Sequence, residues 1–308
     1  MKKYIRIIIV SLVVIAAVGY FAVNYAIINV LPYSAIKPSR CTKEDLIKYN
    51  NGITSPKDLN LKWTDFNIIV GDSIKLKGWF VYSNSRPVKG TIFLLHGIAS
   101  CKATLLKTAE NLSNNGFNTV LYDSRANGES GGKYCTFGYY EKKDLSDYIE
   151  STIKRYPYSA PYGVFGNSLG AAIAIQAMAM DKRIKCGVVE SPFANLRDIV
   201  HDYFAEEIHL RINSIPDAAL KYSEKIAKFN VDSIQPALSA KDITQPVLVI
   251  HGLSDENISW KYGKEIYDNL KSKDKMWYPI PNGTHFNLSK VGGQKLKMLI
   301  LQYFKKYI

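Results

Sequence analysis

Apolar and polar positions alternate in a repeating rhythm through most of this chain. Thr91 to Leu95 is a short apolar run, and a helical pattern follows at 102–115. Strand-like runs at 117–122, 162–166 and 184–189 then alternate with helical stretches at 139–154 and 169–180. Short, continuously apolar runs separated by helical patterns read as parallel strands covered on both faces. Upstream, 62–70 and 74–82 alternate about Gly71-Asp72, the pattern of a hairpin. The rhythm breaks between Ser191 and Asp242, where helical stretches at 195–210 and 216–229 predict a helical insert at about 191–242. Strands resume at 246–250 and 276–280, and a last helix is expected over 290–306. This order specifies an α/β fold: a mostly parallel sheet with helices on both faces.

Gly166-Asn167-Ser168-Leu169-Gly170 stands where one such strand meets the next helix. Strand, Gly-x-Ser-x-Gly turn and helix form the nucleophile elbow, in which a sharp turn lifts the serine clear of the sheet. Tight packing around that turn explains small residues on either side of Ser168. The Leu169 N–H, at the start of a helix, can face a developing oxyanion.

A serine hydroxyl needs a base, and the base needs an orienting acid; in this fold they follow in the order acid, then histidine. Asp255 lies in the loop after Pro246–Gly252, and His285 in the loop after Met276–Ile280. Of the five histidines, His96 and His251 precede glycines at strand ends, where a structural hydrogen bond is expected. His201 and His209 fall in a polar helical stretch and are expected to be solvated. Glu190, ending the strand 184–189, is the rival acid; the neighbouring Glu256 is expected to point elsewhere. A second oxyanion donor should come from the loop after Thr91–Leu95, and the Ile98 main-chain N–H in His96-Gly97-Ile98 fits that place.

Leu95-His96-Gly97, Asp123-Ser124-Arg125, Gly128-Glu129-Ser130-Gly131-Gly132, Gly166–Gly170, His251–Asp255 and Gly283-Thr284-His285 occur in order. Together they resemble the motif set of the α/β-hydrolase superfamily, in particular serine-aminopeptidase-like and monoglyceride-lipase-like hydrolases and the membrane-anchored Bem46-type branch. The likeness spans about residues 60 to 306. It implies an eight-stranded, mostly parallel sheet, a small helical cap, and hydrolysis without a cofactor or metal. It departs at Ala126-Asn127, where the family usually has glycine after the arginine.

The N-terminal end carries Lys2, Lys3 and Arg6, and residues 7 to 23 hold no charge; apolar character runs on to Leu31. That length is enough to span a bilayer. A cleaved signal peptide, with Ala17-Val18-Gly19 as the cleavage region, is the alternative. Lys2, Lys3 and Arg6, immediately before the apolar segment, place that end in the cytoplasm and the domain outside. Residues 1–31 are thus expected to be an anchor with no part in the chemistry, 32–60 a linker and lead-in, and 61–308 the hydrolase domain. Deleting 1–31 should then leave a soluble, active enzyme.

The net charge of +13 comes from 40 Lys and Arg against 27 Asp and Glu. The basic residues are scattered, which suits a surface facing anionic lipid or cell-wall polymer better than a nucleic-acid groove. Four cysteines in an exported domain permit a disulfide. Cys101 and Cys135 follow strands on the same predicted edge of the sheet and are the candidate pair, with the disulfide left open, while Cys186 lies in a buried strand. The sequence therefore reads as a membrane-anchored serine hydrolase with Ser168 as nucleophile, His285 as base and Asp255 as its acid. An acyl ester is the expected small-molecule substrate; acyl transfer, peptide cleavage and non-catalytic binding are the alternatives.

Overall fold

The computed structural model describes residues 2–71 and 73–308. Met1, and Asp72 at the predicted hairpin turn, lie outside the described residues. Ten strands are present among them: β1 (Trp63–Asp65), β2 (Ile68–Ile69), β3 (Lys75–Leu76), β4 (Gly78–Val81), β5 (Gly90–Leu95), β6 (Phe117–Tyr122), β7 (Tyr162–Asn167), β8 (Ile184–Glu190), β9 (Val247–Gly252) and β10 (Met276–Ile280). Eight of them form one sheet in the order β1-β4-β6-β5-β7-β8-β9-β10. Every pairing from β6 across to β10 is parallel, and only β4 runs against its neighbours. The predicted 62–82 hairpin is split: β2 pairs β3 in a small separate sheet, while β1 pairs β4 on the main one.

Side chains alternate between two cores, as the twofold period of a strand requires. Phe93, Leu95, Val164 and Val189 face the helices Glu141–Arg155 and Leu169–Met180. Ile92, Leu94, Phe165 and Val188 face Leu106–Ser113 and Leu288–Tyr307. Burial on both faces is why these strands read as unbroken apolar runs. The cap is the pair of helices Leu196–Ile208 and Ser214–Ala227, close to the expected bounds.

β5 lies between β6 and β7, so the chain builds outward from it in both directions. Loops leaving β5 and β7 separate there and open a crevice at the carboxyl ends of the strands. Leu95 pairs with Gly166 across that point. The residues that follow each, His96-Gly97-Ile98 and Asn167-Ser168, are thereby brought side by side.

Two expectations need correction, and one helix lay outside the expected pattern. Residues 32–60 are not a simple linker: they hold the helices Leu31–Ile36 and Lys43–Tyr49 and a 3-10 turn at Pro56–Leu59, and Ile36, Leu46 and Ile53 are buried in the cores. Thr42 and Asp45 form a capping box that starts the second of these helices. The helix Trp260–Asn269, between β9 and β10, was not expected; its Ser259 caps it and its Ile266 enters the core. Cys101 and Cys135 lie in opposite cores, one on each face of the sheet, and do not meet. Cys101 instead contacts Cys41 through sulfurs 2.6 Å apart, both residues being reduced. An oxidising compartment should join that pair. Thiol counting on the denatured, non-reduced protein is expected to find Cys135 and Cys186 alone, and four reactive thiols would contradict it.

Candidate active site

Ser168 closes β7 and opens the helix Leu169–Met180 with φ 52° and ψ −120°, a conformation that L-residues rarely adopt. Surrounding backbone holds it there. The Ser168 N–H donates to the Glu190 carbonyl (2.8 Å), and its own carbonyl accepts from Ala171 and Ala172. The flanking glycines are needed for space. A Cβ on Gly166 would stand 2.3 Å from the Gly170 carbonyl oxygen, and one on Gly170 would stand 2.2 Å from that of Leu95. Both obstacles are backbone and cannot rotate away. Gly170→Ala should therefore pry the helix from β5 and lower stability by about 3 kcal/mol, the upper range for overpacking. Denaturant unfolding checks it, and a variant as stable as the parent would contradict this packing.

His285 lies in the loop after β10, ordered by the Thr284 N–H donating to Asn287 Oδ1 (2.7 Å). Its Nε2 stands 3.0 Å from Ser168 Oγ and its Nδ1 2.9 Å from Asp255 Oδ2. Asp255 is buried in the loop after β9. Its Oδ1 accepts from the N–H groups of Asn257 (3.1 Å) and Ile258 (2.9 Å). Burial alone would push the carboxyl up. Hydrogen bonds from His251, His285 and the Ile258 N–H outweigh that and hold it well below the usual carboxylate range. His251, on β9, also meets the Ile258 carbonyl through Nε2 (2.9 Å), so it braces the Asp255 loop.

Glu190, the rival acid, is not joined to His285. Among the described residues its carboxyl has no hydrogen-bond partner, and the protein packed around it pushes it up to about 7. Glu256 is exposed, as expected. His96 is buried as a neutral ring: Nε2 accepts from the Ser124 N–H (3.0 Å) and Nδ1 donates to the Gly97 carbonyl (2.7 Å). His201 departs from its expected solvation; it is buried in the cap and bonded to Asp217 (2.8 Å). His209 is exposed at a helix end.

The loop after β5 comes close to the serine, since a Cβ on Gly97 would lie 3.4 Å from that of Ser168. Among the described residues, neither the Ile98 nor the Leu169 N–H has a hydrogen-bond partner. Both residues line the same cavity as Ser168. Asn127, which sequence reasoning noted only as a departure, fixes this loop: its Oδ1 accepts the Ala99 N–H (3.1 Å) while its Nδ2 donates to the Arg125 carbonyl (3.0 Å). Ala126 takes φ 62°, the conformation a glycine would hold more easily. Lys102 is buried behind the loop, between Asp123 (2.7 Å) and Glu129 (2.5 Å). Among the described residues no cluster of His, Cys, Asp or Glu could hold a metal ion.

A cavity of about 370 Å³ opens beside Ser168. Ile98, Phe137, Phe193, Leu196, Phe204 and Leu220 give it a mostly apolar lining. Among the described residues Glu207, on the cap helix, is the one acidic residue that reaches it, whereas Asp217 is occupied by Arg197 and His201.

Residues 86–234 match the family model described as serine aminopeptidase, S33. The chain is 26% identical to the Bacillus subtilis uncharacterized protein YqkD, over 79% of this chain and 81% of that one. It is also 26% identical to a Xenopus tropicalis lysophosphatidylserine lipase, ABHD12, over 62% of this chain but only 49% of the relative. Among solved structures, the Pyrococcus furiosus esterase Pf2001 superposes with a TM-score of 0.72 at 26% identity, covering 89% of this chain and 99% of the esterase. With its parallel sheet, helical cap and elbow serine, the chain is a member of the α/β-hydrolase superfamily.

Proposed function

We propose that the protein is a membrane-anchored serine hydrolase that cleaves an acyl ester. The observation that carries this reading is the unbroken line of hydrogen bonds from Ser168 through His285 to Asp255. Ser168 Oγ attacks the acyl carbonyl carbon while His285 Nε2 takes its proton. Asp255 accepts the Nδ1 proton in a hydrogen bond, which fixes the tautomer and stabilises the imidazolium. The Ile98 and Leu169 N–H groups receive the charge on the carbonyl oxygen. His285 then protonates the leaving oxygen and the alcohol departs. Water, giving its proton to His285, attacks the acyl-enzyme; collapse releases the acid and returns the proton to Ser168.

The apolar cavity beside Ser168 favours an acyl group over a charged one. The similar esterase and lysophospholipid lipase lean the same way. The N-terminal helix Lys2–Asn29 is long and apolar enough to cross a membrane, and none of its most apolar stretch is buried by the protein. We read it as the anchor, with Lys3 and Arg6 in the cytoplasm and the domain outside. Purified full-length protein in detergent should be assayed on a panel of acyl p-nitrophenyl esters and aminoacyl amides. Ester turnover is expected; cleavage of the amides alone would replace the ester reading with a peptidase, and turnover of neither would favour a binding protein.

A further inference from the structure

The segment joining anchor to domain takes part in the site. Leu31, Ser34 and Ala35 line the cavity, facing Phe204, Ala219 and Leu220 of the cap. They belong to the helix Leu31–Ile36, which packs against Ser214–Ala227 and is firmly held. Ile36 is fully buried, the Ser223 hydroxyl donates to the Pro32 carbonyl (3.1 Å), and the Cys135 N–H donates to that of Ile36 (2.8 Å). A single residue, Val30, separates this helix from the spanning helix Lys2–Asn29.

That spacing sets the height of the site above the membrane. A hydrocarbon core of about 30 Å takes about 20 helical residues. Counted from Ile7, just past the last charge, the core ends near Ala26. Leu31 then lies roughly 7 Å beyond it, within the headgroup layer. An acyl ester of a membrane amphiphile sits at that same boundary. The mouth is also apolar where a soluble enzyme would be polar. Phe286 is 85% exposed with its ring edge-on to that of His285, and Ile98 and Tyr203 are exposed on the cavity lining. Such side chains gain from contact with lipid.

We infer that Leu31–Ile36 is one wall of the acyl site, and that the substrate is a single-chain acyl ester drawn sideways from the outer leaflet. This rests on the ester-hydrolase reading above. A cavity of about 370 Å³ lies at the low end for small-molecule sites and suits one acyl chain. On this inference residues 1–31 do more than tether the enzyme, since cutting after residue 31 removes Leu31 and leaves this wall without its lead-in.

The test lifts the domain off the membrane without altering the wall. A flexible Gly/Ser insert of about 12 residues between Asn29 and Val30 reaches on the order of 20 Å. Full-length protein and the insert variant, reconstituted in phosphatidylcholine vesicles, are assayed on water-soluble p-nitrophenyl butyrate and on monooleoylglycerol held in the vesicles. Equal butyrate turnover is expected, with monooleoylglycerol turnover at least tenfold lower in the insert variant. Equal turnover of both substrates would overturn the inference while leaving the hydrolase reading intact. Failure of the parent protein on both would remove the hydrolase reading and the inference with it. If the insert also depresses butyrate turnover, Ala35→Trp decides the matter. Filling the cavity should lower the oleoyl-to-butyryl activity ratio at least tenfold, and an unchanged ratio would overturn the inference.

Discussion

Ser168→Ala is expected to lower ester turnover by a factor on the order of 10⁴ or more, while the protein folds as before. Removing the hydroxyl takes away the atom that forms the acyl-enzyme. What remains is binding and the two N–H donors at Ile98 and Leu169, which support only a small residual rate. The fold should not suffer, because the strained turn at Ser168 is held through main-chain hydrogen bonds to Glu190, Ala171 and Ala172, none of which needs the side chain. Alanine does tolerate φ 52° no better than serine, so stability should be nearly unchanged. Steady-state kinetics and a thermal melt on one preparation check both parts. Activity within tenfold of the parent would show that another group does the chemistry.

Asp255→Asn should cost a similar factor, about 10⁴, whereas Glu190→Gln should stay within a few-fold of the parent. Among the described residues only Asp255 is hydrogen-bonded to His285 Nδ1. An amide there can present its N–H to the ring and stabilise the wrong tautomer, leaving Nε2 unable to take the serine proton. Glu190 contributes its main-chain carbonyl to Ser168, and glutamine keeps that carbonyl. The two carboxyls also differ in how they link stability to pH. Asp255 is held below its ordinary value of 3.8, so its contribution is present above that pH and lost as the solution becomes more acidic. Glu190 is raised from 4.5 to about 7 by burial. Its folded form prefers the neutral acid, so the associated stability is present below pH 4.5 and is lost as pH rises through 7. Glu190→Gln should therefore melt higher than the parent at pH 8, with a smaller difference at pH 5. A greater activity loss in Glu190→Gln than in Asp255→Asn would move the acid to β8.

Much of this was legible in the sequence because the strands are buried on both faces and leave little room for ambiguity. Thr91–Leu95 and Val247–Ile250 could hardly be anything but interior strands. Ser168 was legible because its glycines answer to fixed backbone atoms, which forbid other residues. The helix Trp260–Asn269 was not, because its buried residues are few: Gly263 and Ile266 carry its inner face among charged and aromatic neighbours. Cys101 and Cys135 were paired on sequence grounds because both follow strands on one edge. Sequence order does not say which face a loop turns toward, and these two turn apart. His201 looked solvated in a polar helix, but its partner Asp217 lies on the neighbouring cap helix, a contact that only tertiary structure creates. The role inferred for Leu31–Ile36 was hidden for a related reason. Its apolar residues run on from those of the long N-terminal helix, and no pattern in the sequence separates the two segments.

The central claim is that Ser168 is an activated nucleophile, and the most direct measurement is where a fluorophosphonate attaches. Full-length protein is labelled, digested, and the adduct located by mass spectrometry. A single adduct on Ser168, absent after Asp255→Asn or when His285 is replaced by alanine, is the predicted result. Ester turnover by a protein that carries no adduct at Ser168 would contradict the account.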